Sequence, residues 1–194
     1  MRRDTLRWAK IGSTPGPELP LFRVRLDMMR HPASSYVHRC LVLEAPDWVN
    51  VVALTPDRQV VMVEQHRFGS GEISLEPPAG IVEPNESPLA AAQRELLEET
   101  GYAGDAWRYL GAVQPNPAFQ NNLCHHWLVE GVTLQRLPAL DPAEALRVSL
   151  MTVEALRDAF AAGRLKHVLA HSALTRVFPL WSLPHIADAP DGQA

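Results

Sequence analysis

The chain has 194 residues, 46% of them hydrophobic and 21% charged, with a formal net charge of −4. That length and balance suit one well-buried soluble domain. There is no Lys- or Arg-rich stripe to meet a nucleic-acid backbone, and no apolar run approaches membrane-spanning length. Cys40 and Cys124 form neither a disulfide framework nor a zinc spacing, and the basic residues 1–12 lack the apolar segment of a signal peptide. The expectation is a cytoplasmic, reducing setting with both cysteines buried as small hydrophobes.

Residues 1–20 hold an apolar pair, Trp8 and Ile11, then break at Ser13-Thr14-Pro15-Gly16-Pro17, which predicts a loop. Over residues 21–29, Phe22, Val24, Leu26 and Met28 alternate with Leu21, Arg23, Arg25 and Asp27, a period of two that predicts a strand with one buried face. Strand composition resumes over 36–43 after a His31-Pro32 break, so an antiparallel pair precedes the core. Residues 48–54 and 59–65 are two apolar strands joined at Thr55-Pro56-Asp57-Arg58, which suits a type I turn. A short strand over 73–77 leads into Pro78-Ala79-Gly80. Residues 107–113 and 123–129 read as strands flanking a long polar loop, and 145–151 as another strand. Residues 141–144 suit a short capped turn. Thr152 caps a helix that runs through Ala162 to Gly163, and the apolar spacing over 165–180 predicts a last helix. The expected organisation is an N-terminal β extension over 1–46, a main domain over 47–186 and a polar tail over 187–194.

The most informative stretch lies between, at residues 80–102. Ser87 is a natural N-cap, Pro88 fits the first helical position and Gly101 is the expected stop. On that helix Leu89, Ala92 and Leu96 share an apolar stripe, while Glu95, Glu98 and Glu99 fall together on the neighbouring face. Arg94 sits one turn before Glu98 and is placed to pair with it. An acidic helix is ordinarily a solvated face, but three converging carboxylates also match the oxygen donors that hard divalent cations prefer. Gly80 and Gly101 bracket the unit at points where a side chain would obstruct the backbone.

The spacing distinguishes these alternatives. Gly80, Glu86, Arg94, Glu95, Leu96, Glu98, Glu99, Gly101 and Tyr102 match the Nudix box, G-x5-E-x7-R-E-U-x-E-E-x-G-U with U apolar or aromatic. Its seven fixed letters coincide by chance in on the order of one window in 10⁸. The chain thus resembles the Nudix hydrolases. The resemblance implies an α/β/α sandwich with a mixed central sheet, here with the N-terminal antiparallel extension. It also implies divalent-metal-dependent hydrolysis of a nucleoside diphosphate linked to another group, with Mg²⁺ (or Mn²⁺) as cofactor.

Flanking features are similar to the ADP-ribose pyrophosphatase and nucleoside-diphosphate-sugar hydrolase branch. They are Leu75-Glu76-Pro77-Pro78-Ala79-Gly80 before the box, Glu64-Gln65-His66-Arg67 at a strand end, and Pro117 in the later loop. That resemblance implies a metal site of Glu95, Glu98, Glu99 and the Ala79 carbonyl, braced by Glu86 and Arg94. Glu95, Glu98, Glu99 and Arg94 are its expected catalytic residues, and Arg67, Glu76, Pro117 and Asn121 its expected substrate contacts. It also implies a homodimer built through the N-terminal sheet, whose sites borrow residues across the interface. The chain departs from that branch where a glutamate usually follows the loop proline: residues 117–122 contain no acid. Glu98, Glu144, His125 and His126 are the alternatives for the base that deprotonates water. The base-gripping aromatic is open among Trp8, Phe22, Tyr36, Trp48 and Phe119. The expected products are a nucleoside monophosphate and a sugar phosphate. A housecleaning (d)NTP or coenzyme A pyrophosphatase and a non-catalytic nucleotide-sugar sensor are the alternatives.

Overall fold

The computed structural model of the chain describes residues 6–140 and 144–180. An antiparallel sheet of β1 (Ala9–Glu18), β2 (Arg23–Arg30) and β3 (Val37–Glu44) comes first. It has three strands where the sequence predicted two, because the expected loop at 13–17 is the second half of β1. β1 lies at the sheet edge, where proline removes no central ladder bond. Register shifts between Lys10 and Gly12 and between Pro15 and Glu18 absorb the misfit. The predicted strand forms as β2, but its burial does not follow the predicted alternation: the most buried residue is Asp27, from the face expected to be open. Lys10, Ser13 and Arg25 surround that carboxylate. Burial opposes its charge, yet these partners hold its pKa below the usual range. On the apolar face, Met28 and Leu41 stay 36% and 47% exposed.

The central sheet begins with β4 (Trp48–Leu54) and β5 (Val60–Arg67). Between them the predicted turn forms: the Arg58 N–H donates to the Thr55 carbonyl at 2.8 Å. β6 (Glu72–Glu76) returns along β5, and β7 (Ala79–Ile81) along β4. After helix α1 (Pro88–Thr100), β8 (Tyr102–Ala103) precedes β9 (Ala106–Val113) and β10 (Cys124–Glu130). β11 (Thr133–Leu134) pairs with β8, and β12 (Leu146–Met151) leads to α2 (Val153–Ala161) and α3 (Val168–Leu174). The main path runs β12-β5-β4-β10-β9. β10 is parallel to β4 and every other neighbour is antiparallel, so the sheet is mixed, as expected.

Period two along β4 separates the layers. Val49, Val51 and Ala53 meet Ala91, Ala92 and Leu96 of α1 on one face. Val52 and Leu54 meet Leu156 and Ala159 of α2 and Ala173 and Leu174 of α3 on the other. The result is the predicted α/β/α sandwich. Cys124 is buried, whereas Cys40 is only half-buried on the extension.

The predicted helix over 165–180 is much shorter. Gly163, at φ +67, ends the α2 segment, and α3 begins only after an extended His167. Beyond Leu174 the chain closes tight turns, Val177 N–H and Phe178 N–H both donating to the Leu174 carbonyl, before Pro179 bars further helix. Leu165, Leu169, Leu174, Phe178 and Leu180 are nevertheless all buried, so the apolar spacing marked core positions correctly and their secondary structure incorrectly. The 187–194 tail and most of the expected 141–144 turn lie outside the described residues.

Candidate active site

Local sequence builds α1 as predicted. The Ser87 hydroxyl accepts from the Ala90 N–H at 3.1 Å, Pro88 opens the helix, and Gly101 closes it at φ +75. The apolar stripe is centred on Ala91, Ala92 and Leu96, with Leu89 only half-buried. Glu95 and Glu99 are buried on the side facing β7, and Glu98 lies toward solvent.

Arg94 organises this face. Its Nε and Nη2 bond both oxygens of Glu86 at 3.0 and 2.9 Å. Nη1 donates to Glu95 at 2.8 Å and Glu98 at 3.2 Å, and Nη2 also meets the Ile81 carbonyl at 2.9 Å. One planar group therefore joins the loop, strand and helix. The Glu86 fork raises the Arg94 pKa further, and the same contact holds Glu86 below the usual carboxylate range.

Glu99 accepts from the Ala79 N–H at 2.9 Å. Burial pushes its pKa up to about 8 against that hydrogen bond, and the negative charges of Glu95 and Glu144 add to the rise. Glu95 is raised in the same way, chiefly by burial, with Glu98 and Glu144 contributing. Glu144 thus shares the field of both buried acids. Gly80 is required here for space rather than for an unusual φ: a Cβ would fall 1.9 Å from Glu95 Oε1. Among the described residues no three His, Cys, Asp or Glu side chains close around one point. Arg94 and the Ala79 N–H occupy oxygens of the box acids instead. Oxygen-only donors, enclosed carboxyls whose charge is disfavoured, and a side-chain-free cradle at Gly80 are what a hard divalent cation fits.

Arg67 and Glu76 meet each other. Nε and Nη2 of Arg67 reach the two Glu76 oxygens at 2.8 and 2.6 Å, and Glu76 is fully buried. Burial would raise the Glu76 pKa, but the Arg67 fork outweighs it and holds it down. Arg67 also lies within the field of Glu99. Pro117 and Asn121 lie on the loop between β9 and β10. Asn121 Oδ1 accepts from the Ala45 N–H at 3.2 Å, and its N–H meets the Leu43 carbonyl at 3.3 Å. That loop stitches the end of β3 to the core.

Both histidines have partners within the fold. His126 is fully buried and meets Ser172 Oγ at 3.0 Å. Burial pushes its pKa down to about 4. His125 lies between Asp47 Oδ2, at 3.2 Å, and the Tyr109 hydroxyl, at 2.9 Å.

A cleft of about 1160 Å³ opens beside the site, between the β5–β6 hairpin and the α2–α3 linker. Arg67 and Glu144 line it together with Phe68, Arg164, Lys166 and His167. None of these last four was singled out from sequence. Phe68 directly follows the Gln65-His66-Arg67 motif, the one local signal that could have found it.

The NUDIX domain family matches residues 46–171. A methanol dehydrogenase activator from Bacillus methanolicus is 32% identical over 114 residues, covering 58% of this chain and 62% of that protein. An ADP-ribose pyrophosphatase from Bacillus subtilis (strain 168) is 33% identical over the same length and shares. The matched part thus spans less than two thirds of either relative. A crystal structure of an ADP compounds hydrolase superposes with a TM-score of 0.79 at 18% identity, covering 91% of this chain and 95% of that one, which bears on the fold.

Proposed function

The chain belongs to the Nudix family, and from that premise we propose that it hydrolyses the diphosphate bond of ADP-ribose or a related nucleoside diphosphate sugar. The products are a nucleoside monophosphate and a sugar phosphate. The observation that carries this reading is the pair of buried box acids, Glu95 and Glu99, within the field of Glu144 and beside a cleft that Glu144 and Arg67 line.

Glu95, Glu98, Glu99 and the Ala79 carbonyl are the proposed ligands of Mg²⁺ (or Mn²⁺). Such a cation, when bound, supplies charge neutralisation at phosphoryl oxygens and a more acidic water. The chain's own groups do the rest. Arg94 and Glu86 hold the helix and loop in register, so that the carboxylates keep their spacing. Glu144, exposed and at the cleft, takes the proton of the attacking water and supplies the acid that is missing after Pro117; its place at the cleft supports it over Glu98, His125 and His126. Arg67, aligned by Glu76, faces the diphosphate. Pro117 and Asn121 support the site through the β3 junction. We further propose that residues 1–46 form a homodimer element whose exposed Met28 and Leu41 face is covered by a second copy, and that the enzyme works in the cytoplasm. No helix among the described residues is long and apolar enough to cross a membrane.

Incubation with ADP-ribose, GDP-mannose, UDP-glucose and dATP in Mg²⁺ tests the reading. Release of a monophosphate and a sugar phosphate is expected. Pyrophosphate release from dATP alone would replace it with a triphosphatase.

A further inference from the structure

One ring reaches the Arg67–Glu76 pair from the α2–α3 wall of the cleft. His167, the residue before α3, places Nδ1 3.9 Å from Glu76 Oε2. That oxygen already accepts from Arg67 Nη2 at 2.6 Å. A separation of 3.9 Å is too long for a hydrogen bond. Nδ1 is nevertheless buried and has no hydrogen-bond partner among the described residues. The side chain gives α3 no cap either. Neither bond nor cap accounts for its place, but charge does. Glu76 is fully buried and its carboxylate cancels the Arg67 guanidinium. With a neutral imidazole these three groups carry no net charge, a poor match for a diphosphate. With an imidazolium they carry one positive charge at the cleft. Burial is the main force that keeps the ring neutral; Glu76 from β6 opposes it, while Arg67 from β5 and His171 from α3 reinforce it. His171 is itself tied to the Leu165 carbonyl. Lys166 is paired with Glu72 Oε2 at 2.7 Å, and Arg164 and Glu144 line the same cleft.

We propose that His167 is a positioning residue for the diphosphate: it takes up a proton from solvent as the diphosphate meets Arg67, and its imidazolium then balances Glu76, so that Arg67 keeps its charge for the substrate. This rests on the nucleotide-sugar reading and deepens it by making substrate binding proton-linked. A diphosphate against Arg67 removes the repulsion between that guanidinium and the imidazolium, so binding favours the protonated ring. By reciprocity the protonated ring favours binding. A ring protonated on both nitrogens directs an N–H from Nδ1 at Glu76, the group it faces.

The test is calorimetric binding of ADP-ribose to the full chain in EDTA, because the two phosphates of this ligand keep a constant charge near neutrality. Between about pH 8 and pH 6, wild-type affinity is expected to rise about fivefold more than that of His167→Gln. Buried Glu95 and Glu99 titrate in both proteins alike, so the difference belongs to His167. Titrations in buffers of unlike ionisation enthalpy are expected to show greater proton uptake by the wild type. Proton NMR of the wild type, which needs no variant to fold, is expected to show the His167 titration midpoint rising when ADP-ribose is added. With Mg²⁺ present, the substitution is expected to alter the pH dependence of KM and not that of kcat. The same pH dependence of affinity in both proteins, a midpoint that ADP-ribose does not move, an effect confined to kcat, or absence of ADP-ribose binding to the wild type would each overturn the proposal. The reaction reading fails separately: His167-dependent proton uptake without cleavage of any nucleotide sugar refutes the reaction and keeps the linkage, and cleavage with an unmoved midpoint does the reverse.

Discussion

Glu99 combines two properties that conflict in a protein without a cation. It is buried, 3% exposed, and accepts from the neutral backbone N–H of Ala79, and burial disfavours its charged form against that hydrogen bond. Glutamine is close in shape to the protonated acid and can accept from the same N–H. Glu99→Gln is therefore expected to leave the metal-free melting temperature within about two degrees of wild type while activity falls by several decades. Circular dichroism melts in EDTA and kcat measurements check the two halves; near-wild-type activity would remove Glu99 from the metal set. The box acids and Arg94 were legible because their spacing is local and helical. The exposure of Phe68 was not, since sequence does not reveal that a hairpin-tip ring stays uncovered beside a cleft. His125 and His126 were candidate bases by residue type, but their partners come from Asp47, Tyr109 and Ser172, remote in sequence.

At the scale of elements, the contact of β7 with α1 sets the site. Gly80 passes so close to Glu95 that a Cβ would have to displace its carboxylate. Gly80→Ala is expected to cost about 1–3 kcal/mol of stability and to reduce kcat by at least tenfold, because Glu95 is displaced; denaturant unfolding and steady-state kinetics measure both. Helix α1 was readable because cap, first-turn proline and terminal glycine all lie within its own segment. β1 was missed because its pairing with β2 overrides two prolines and a glycine. The 165–180 segment was misread because burial on one face of the sheet can be met by turns as well as by helix.

Across the whole molecule, the layer behind the sheet carries a buried neutral histidine. In the folded chain His126 resists protonation until about pH 4, against an ordinary value of 6.5. Between those values the unfolded chain binds a proton that the folded chain refuses, so this group's stabilisation is present above pH 6.5 and is lost as pH falls toward 4. Buried Glu95 and Glu99 act oppositely, so the comparison is with His126→Gln: between pH 7 and 4 the wild type is expected to lose about 1–3 kcal/mol relative to that variant, read from urea midpoints. An unchanged difference across that range would show that His126 titrates normally. The sandwich itself was legible from the box and the strand alternation, whereas the position of the cleft depends on how the hairpin and linker come together. The most direct measurement is phosphorus NMR of ADP-ribose incubated with the purified protein and Mg²⁺. AMP and ribose 5-phosphate appearing in equal amounts, and absent in EDTA, is the expected result. Intact ADP-ribose, with any other nucleotide sugar equally untouched, would contradict the assignment of this chain as a nucleotide-sugar hydrolase.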